Sequence, residues 1–165
     1  MVGDVEAALD TRAIVVEGND DLRATLLRAL DTITGERMAI LDCMHPLAAI
    51  EDVRATVAGL DDADACVCAV PVKETLKLVK DGVVEETLDR SEMWHELMPQ
   101  AFRVAVLVAA LERGPGDDNG AERSDLVRAV ERMGGRVAIV PGSSRNLRLT
   151  TRDDLKVAHA MIKVQ

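Results

Sequence analysis

Apolar positions along this chain follow two rhythms. Residues 13–16, 38–41, 66–70 and 136–140 are short β-branched or aliphatic runs with no periodic polar face, which predicts strands buried on both sides. Between them, apolar positions recur at helical spacing. Leu22, Leu26, Leu27 and Leu30 line one face behind the capping candidates Asn19, Asp20 and Asp21, and Gly35 closes that region. Residues 50–60 predict a helix with Val53, Val57 and Leu60 inward. Residues 101–111 predict another, largely buried through Phe102, Ala105, Val106, Ala109 and Ala110. Residues 122–133 carry Leu126, Val127, Val130 and Met133 on one side and stop at Gly134-Gly135. A last helix opens at Thr150 or Thr151, with Asp153 and Asp154 in its first turn and Leu155, Ala158, Ala160 and Met161 packing back. Residues 5–9 predict a short helical turn. The alternation is that of an α/β scaffold in one domain, residues 1–165, with neither a repeat nor a linker.

Two stretches depart from this pattern. Pro71 ends the third apolar run because it has no N–H to give a ladder. Extended pieces at 75–79 and 83–88 follow, joined by the hairpin signal Asp81-Gly82. A core strand thus feeds a projecting two-stranded arm at about 72–90, and such an arm needs a partner surface in water. It returns into a segment that holds Trp94, Pro99 and Phe102. Residues 114–120 (GPGDDNG) predict a solvated, mobile loop, 61–64 an acidic surface turn, and Leu147 and Leu149 a half-buried strand.

Composition narrows the class. Of the residues 48% are hydrophobic and 30% charged, which places the chain among globular proteins. With 20 Lys+Arg against 29 Asp+Glu, the formal net charge of -9 argues against a general nucleic-acid surface while leaving room for a small phosphate pocket. Aromatic residues are 1%, with no Tyr, so the stacking platforms of single-strand binders are missing as well. Cys43, Cys66 and Cys68 make neither an even disulfide framework nor a zinc set; the last two read as small hydrophobes on a buried strand. The opening residues MVGDVEAALD lack a basic and an apolar leader region, and no apolar run approaches the ~20 residues of a bilayer span. The expectation is a cytoplasmic protein without membrane contact.

Candidate chemistry gathers where strands end. Asp42 and His45 follow the second apolar run directly, and the loop beyond a strand's carboxyl end is where open α/β sheets bind ligands. Asp42 reads either as a ligand or as a turn cap, and His45 as a ligand or a structural histidine. Arg90, Lys77, Arg145, Arg148 and His45, with hydroxyls from Thr75 and Ser143, are candidates for one anion pocket, since guanidinium and ammonium groups suit phosphoryl oxygens. The plainer alternative is solubilising surface charge. A glycine-rich turn that would wrap a nucleotide triphosphate is absent: Gly18 stands alone, and Gly142-Ser143-Ser144 follows a late strand.

Three stretches carry a resemblance: VPVKETLK, VVEETLDRSEMWHELMPQAF and GGRVAIVPGSSRNLRLTTRDDLKVAHAM. Together with VVEGNDDLRATLLRAL and LDCMHPL upstream, they resemble the 2-C-methyl-D-erythritol 4-phosphate cytidylyltransferases of the non-mevalonate isoprenoid pathway, from about Ala13 onward. The resemblance implies a Rossmann-like three-layer sandwich of the nucleotide-diphospho-sugar transferase type, N-terminally truncated, with a projecting β-arm. It implies joining of CTP and methylerythritol phosphate with release of pyrophosphate, Mg²⁺ as cofactor, and a homodimer interlocked through the arm. It places Asp42 at the family's aspartate, with a catalytic and metal-binding role, Arg90 at the arm arginine facing the sugar phosphate, and Thr75 at a substrate-binding threonine. Arg148 stands at a phosphate-binding lysine, and Ser143 is a further candidate substrate contact.

Several ligand-facing positions depart from the family pattern. Leu22 and His45 stand for arginines, Cys43 and Met44 for an Ala-Ala pair, Met98 for the threonine before Pro99-Gln100, and Ala121-Glu122 for an acidic Thr-Asp motif. The family's N-terminal portion with its CTP loop finds no counterpart, and its loss would leave strand edges that must pair with something. Two functions of different class therefore stand: a cytidylyltransferase, or a non-catalytic dimeric paralogue that binds or regulates a partner protein. A sugar-phosphate binder with altered chemistry is a third, prompted by His45 and Met98.

Overall fold

The computed structural model describes residues 16–18, 22–113 and 125–163. Five helices are present among them: α1 (Leu22–Leu30), α2 (Ile50–Ala58), α3 (Val104–Arg113), α4 (Leu126–Arg132) and α5 (Arg152–Lys163). Six strands alternate with them: β1 (Arg37–Ile40), β2 (Ala65–Pro71), β3 (Lys77–Lys80), β4 (Val83–Thr87), β5 (Trp94–Arg103) and β6 (Val137–Pro141). The main sheet has four strands in the order β1-β5-β2-β6, and β3 and β4 form a separate ribbon. β5 is antiparallel to both neighbours, while β2 and β6 are parallel. Strands β1, β2 and β6 therefore run the same way.

Helices cover both faces of that sheet. On one side Ala65 and Val67 of β2 and Phe102 of β5 pack with Leu30 of α1, Leu107, Ala110 and Leu111 of α3, and Leu126, Val127 and Val130 of α4. On the other, Cys66 and Ala101 pack with Leu60 and Val57 at the end of α2. The period-two alternation of β2 sends its valine and cysteines to opposite layers, so the strand is buried on both faces as its composition predicts. Close approach there depends on glycine: a Cβ on Gly59 would lie 2.3 Å from Cys66 Sγ, and one on Gly142 2.2 Å from Cys68 Sγ.

The structure corrects several expectations. The segment from Trp94 onward is a ten-residue strand, and Ala101 and Phe102 belong to it and not to the following helix. Pairing of these residues with both β1 and β2, and the bond from Val104 N to Glu36 O, hold the backbone extended against its helical propensity. Helix α3 accordingly starts at Val104 and buries Leu107, Ala110 and Leu111, leaving Ala105 and Ala109 exposed. The sheet is mixed, because β5 returns between β1 and β2. Strands β1 and β6 lie at its edges and are only half-buried, with Ile139 49% exposed. Residues 147–149 are not a strand; Leu149 N instead donates to Met44 O at 2.8 Å. In α5 Ala158 is buried, but Leu155 and Ala160 are exposed. The helical turn at 5–9, the caps at 19–21, the loop at 114–120 and most of the strand at 13–16 lie outside the described residues.

The arm has the expected form. β3 and β4 pair antiparallel around Asp81 and Gly82, whose φ values of 50° and 78° are those of a tight hairpin turn. Every residue from Lys77 to Thr87 is exposed. Among the described residues no helix is long and apolar enough to cross a membrane.

Candidate functional site

Because β1, β2 and β6 are parallel, their carboxyl ends meet at one edge of the sheet, beside the start of β5. The loop after β1 is a tight turn. Asp42 Oδ1 accepts from Met44 N at 2.9 Å and Asp42 O from His45 N at 2.9 Å. Asp42 thus caps its own turn with one oxygen, and the other faces Arg148. Arg148 Nη2 lies 4.0 Å from Asp42 Oδ2, with the Arg148 side chain 59% exposed. That is a loose pair by ion-pair standards, so most of the guanidinium's five donors remain open to an incoming oxyanion.

His45 packs beside this pair and is only 7% exposed. Its Nδ1 is buried without a protein partner. Burial lowers its pKa first, the charges of Arg148 and His95 add to the lowering, and Asp42 opposes it. These influences favour the neutral imidazole, which lies beside the charged pair.

The turn after β6 lies at the same end of the sheet. Ser143 Oγ accepts from Arg145 N at 3.1 Å, and Asn146 N donates to Ser143 O at 3.0 Å. Asn146 itself is 1% exposed, with Nδ2 donating to Met98 O and Oδ1 unpartnered. Asn146 is not among the candidates that the sequence offers; its place beside Leu147, just after the turn of residues 141–144, is the available signal.

The remaining candidates sit elsewhere. Arg90 lies in a 3₁₀ turn, Arg90–Glu92, capped by Asp89, at the base of the arm, where its guanidinium donates to Lys73 O. Thr75 is exposed on the link between β2 and β3. Lys77 Nζ bonds Thr87 Oγ1 at 2.6 Å within the arm, and Arg145 Nη2 bonds Met161 O at 3.3 Å. The fold therefore gathers Asp42, His45 and Arg148, puts the Ser143 turn at the same end of the sheet, holds Arg90 and Thr75 at the arm's base, and engages Lys77 and Arg145 elsewhere. Among the described residues no three His, Cys, Asp or Glu side chains form a ready metal cluster.

A parallel-strand edge with one carboxylate, one open guanidinium and a serine turn suits a phosphorylated ligand, and comparison with known proteins identifies the relatives. The family model for 2-C-methyl-D-erythritol 4-phosphate cytidylyltransferase (IspD) matches residues 3–164. The chain belongs to this family. It is 36% identical over 136 residues to the cytidylyltransferase of Syntrophotalea carbinolica, covering 82% of this chain and 58% of that protein. To that of Bacillus licheniformis it is 37% identical over 131 residues, covering 79% and 55%. The chain spans a little over half the length of these two curated relatives. Its fold superposes on the 4-diphosphocytidyl-2C-methyl-D-erythritol synthase of Anaerococcus prevotii with a TM-score of 0.83 at 22% identity, over 98% of this chain and 75% of that one. The cytidylyltransferase of Thermus thermophilus gives 0.78 at 24%, over 92% and 74%. The mixed sheet with helices on both faces is thus the Rossmann-like fold of the cytidylyltransferases.

Proposed function

We propose that this chain takes part in transfer of a cytidylyl group from CTP to 2-C-methyl-D-erythritol 4-phosphate and binds the polyol phosphate at the carboxyl edge of its sheet. The observation that carries this reading is the Asp42–Arg148 pair, loosely held at 4.0 Å in a protein of the cytidylyltransferase family. In the reaction a phosphate oxygen of methylerythritol phosphate attacks the α-phosphorus of CTP. A new P–O bond forms, the bond to the β-phosphate breaks, and pyrophosphate leaves with the electron pair. Such a displacement asks for positioned cations more than for a protein nucleophile. Arg148 neutralises charge on the phosphoryl oxygens, Arg90 and Thr75 bind the polyol phosphate from the arm's base, and Ser143 adds a hydroxyl at the turn.

Asp42 is the residue suited to Mg²⁺. One carboxylate completed by substrate phosphates is a donor set that Mg²⁺ accepts, so the absence of a larger protein cluster among the described residues does not conflict with it. When bound, the ion supplies charge neutralisation at the phosphates. The test is pyrophosphate release by the purified chain with CTP, methylerythritol phosphate and Mg²⁺. Release that requires all three supports the reading; no release and no binding of methylerythritol phosphate at saturation overturns it.

A second reading, a non-catalytic dimeric module, draws on the arm. Leu78, Val79, Val83 and Val84 are 47%, 54%, 67% and 53% exposed on the two-stranded ribbon. A second copy covering them gives a homodimer, with or without catalysis. This reading expects the dimer to persist, and any partner protein to stay bound, in Arg90→Ala.

A further inference from the structure

Two loops from distant parts of the chain meet at the carboxyl edge, and a short series of hydrogen bonds joins them. Asn146 Nδ2 donates to Met98 O on β5, which ties the segment after β6 to the middle of the sheet. Leu149 N, one residue beyond Arg148, donates to Met44 O at 2.8 Å. Met44 N in turn donates to Asp42 Oδ1 at 2.9 Å. Arg148 is therefore bracketed by an anchored residue on each side, and the second anchor is a direct extension of the Asp42 turn.

Asn146 differs from its neighbours in cost. It is 1% exposed, whereas Arg145 and Arg148 lie at the surface, and its Oδ1 is buried without a protein partner. A buried amide with one unsatisfied acceptor is a net expense to folding unless its other bond is needed. An apolar side chain of similar size, such as Leu, would occupy the site without that expense. What it would lose is the donor that holds Met98 O.

We infer that Asn146 is the positioning residue that sets the Asp42–Arg148 separation, and with it the affinity of this edge for a phosphate group. It acts through Arg148 and touches neither substrate nor metal. The inference rests on the proposed reading of the site, with one part that stands apart from it: release of the Asn146 anchor must loosen the Leu149 and Met44 amides whatever the ligand is.

Asn146→Leu keeps about the same volume and removes the donor without adding a charge; Asn146→Ser shortens the side chain and serves if the leucine variant does not fold. Calorimetric titration with methylerythritol phosphate is run on the full chain, on each variant, on Arg148→Ala and on the double variant. Loss of the anchor weakens binding on the order of tenfold in the parent and less than about twofold in Arg148→Ala, because misplacement of one cation is felt only where that cation is present. Val130→Ala, a core change remote from the edge, lowers the melting temperature with affinity unchanged. Equal weakening in both backgrounds, or none in either, overturns the inference. If the parent itself binds no methylerythritol phosphate, the reading of the site fails and amide exchange decides the bracket. Faster exchange at Leu149 and Met44 with an unchanged rate at Cys66 supports it, and unchanged exchange at Leu149 and Met44 overturns it.

Discussion

Arg148 Nη2 stands 4.0 Å from Asp42 Oδ2 across the carboxyl edge of the sheet, on a loop from the other end of the chain. Both side chains keep substantial exposure, so the pair itself contributes less than ~1 kcal/mol to stability. Its value is in charge placement. Arg148→Ala is expected to weaken methylerythritol phosphate binding by ~10- to 100-fold, the worth of one or two charge-assisted hydrogen bonds, while the urea midpoint barely moves. Arg148→Lys restores part of the affinity because it keeps the charge without the planar fork. Calorimetry beside equilibrium unfolding separates the two effects.

Gly142 presses on the core strand. A Cβ there meets Cys68 Sγ at 2.2 Å, and the bond from Gly142 N to Ala69 O at 2.8 Å prevents the turn from stepping back. Gly142→Ala is expected to destabilise by ~1–3 kcal/mol through overpacking. Cys68→Ala removes the opposing sulfur, so the double variant should recover most of that loss in the unfolding midpoint. Additive losses would show that the strain arises elsewhere.

The arm's apolar residues make no demand on the fold of their own chain. Val84→Glu and Leu78→Glu should leave the unfolding free energy of the monomer within ~0.5 kcal/mol, as for other exposed positions. Sedimentation should show a second copy lost at the same time. A parent that sediments as a monomer, or a variant that stays dimeric, would remove the arm from the interface.

Helix α5 begins with a reciprocal cap. Asp154 Oδ2 accepts from Thr150 N at 2.8 Å and Thr151 N at 2.7 Å, and Asp154 N donates to Thr151 Oγ1 at 3.2 Å. Those donors lower the Asp154 pKa from 3.8 to about 2. A depressed carboxyl pKa adds stability that is complete above the unfolded value of 3.8 and disappears as pH falls towards about 2. Melting temperatures measured from pH 7 to pH 2 should fall less steeply through that window in Asp154→Asn than in the parent. Thr151→Ala removes a cap whose hydroxyl also helps to lower the Asp154 pKa, so its cost of ~1 kcal/mol at pH 7 should shrink through the same window.

The contrast between Phe102 and Asn146 marks where sequence reasoning stops. Phe102 reads as the start of a helix because an alanine- and valine-rich stretch follows it, yet it lies at the carboxyl end of β5. Whether a residue is helical or extended there depends on two flanking strands that offer ladder partners, and nothing local encodes their presence. Asn146 carries no local signal of burial beside Arg145, yet it is buried with its amide donating to a carbonyl of β5. The Asp81-Gly82 turn, the double-sided burial of β2 and the cap at Thr151 were legible, since each rests on backbone conformation or side-chain period within a few residues.

Residue order alone was enough for most of the alternation of strands and helices, the projecting arm, and the motifs that mark the cytidylyltransferase family. It took the assembled sheet to turn β5 back between β1 and β2, to bring Arg148 to Asp42 while Lys77 and Arg145 bond elsewhere, and to tie Asn146 to β5. The reason is range: period, capping and turn chemistry act over a few residues. The partner of a carboxylate or a buried amide is chosen by which distant segments the folded chain brings within a few ångströms.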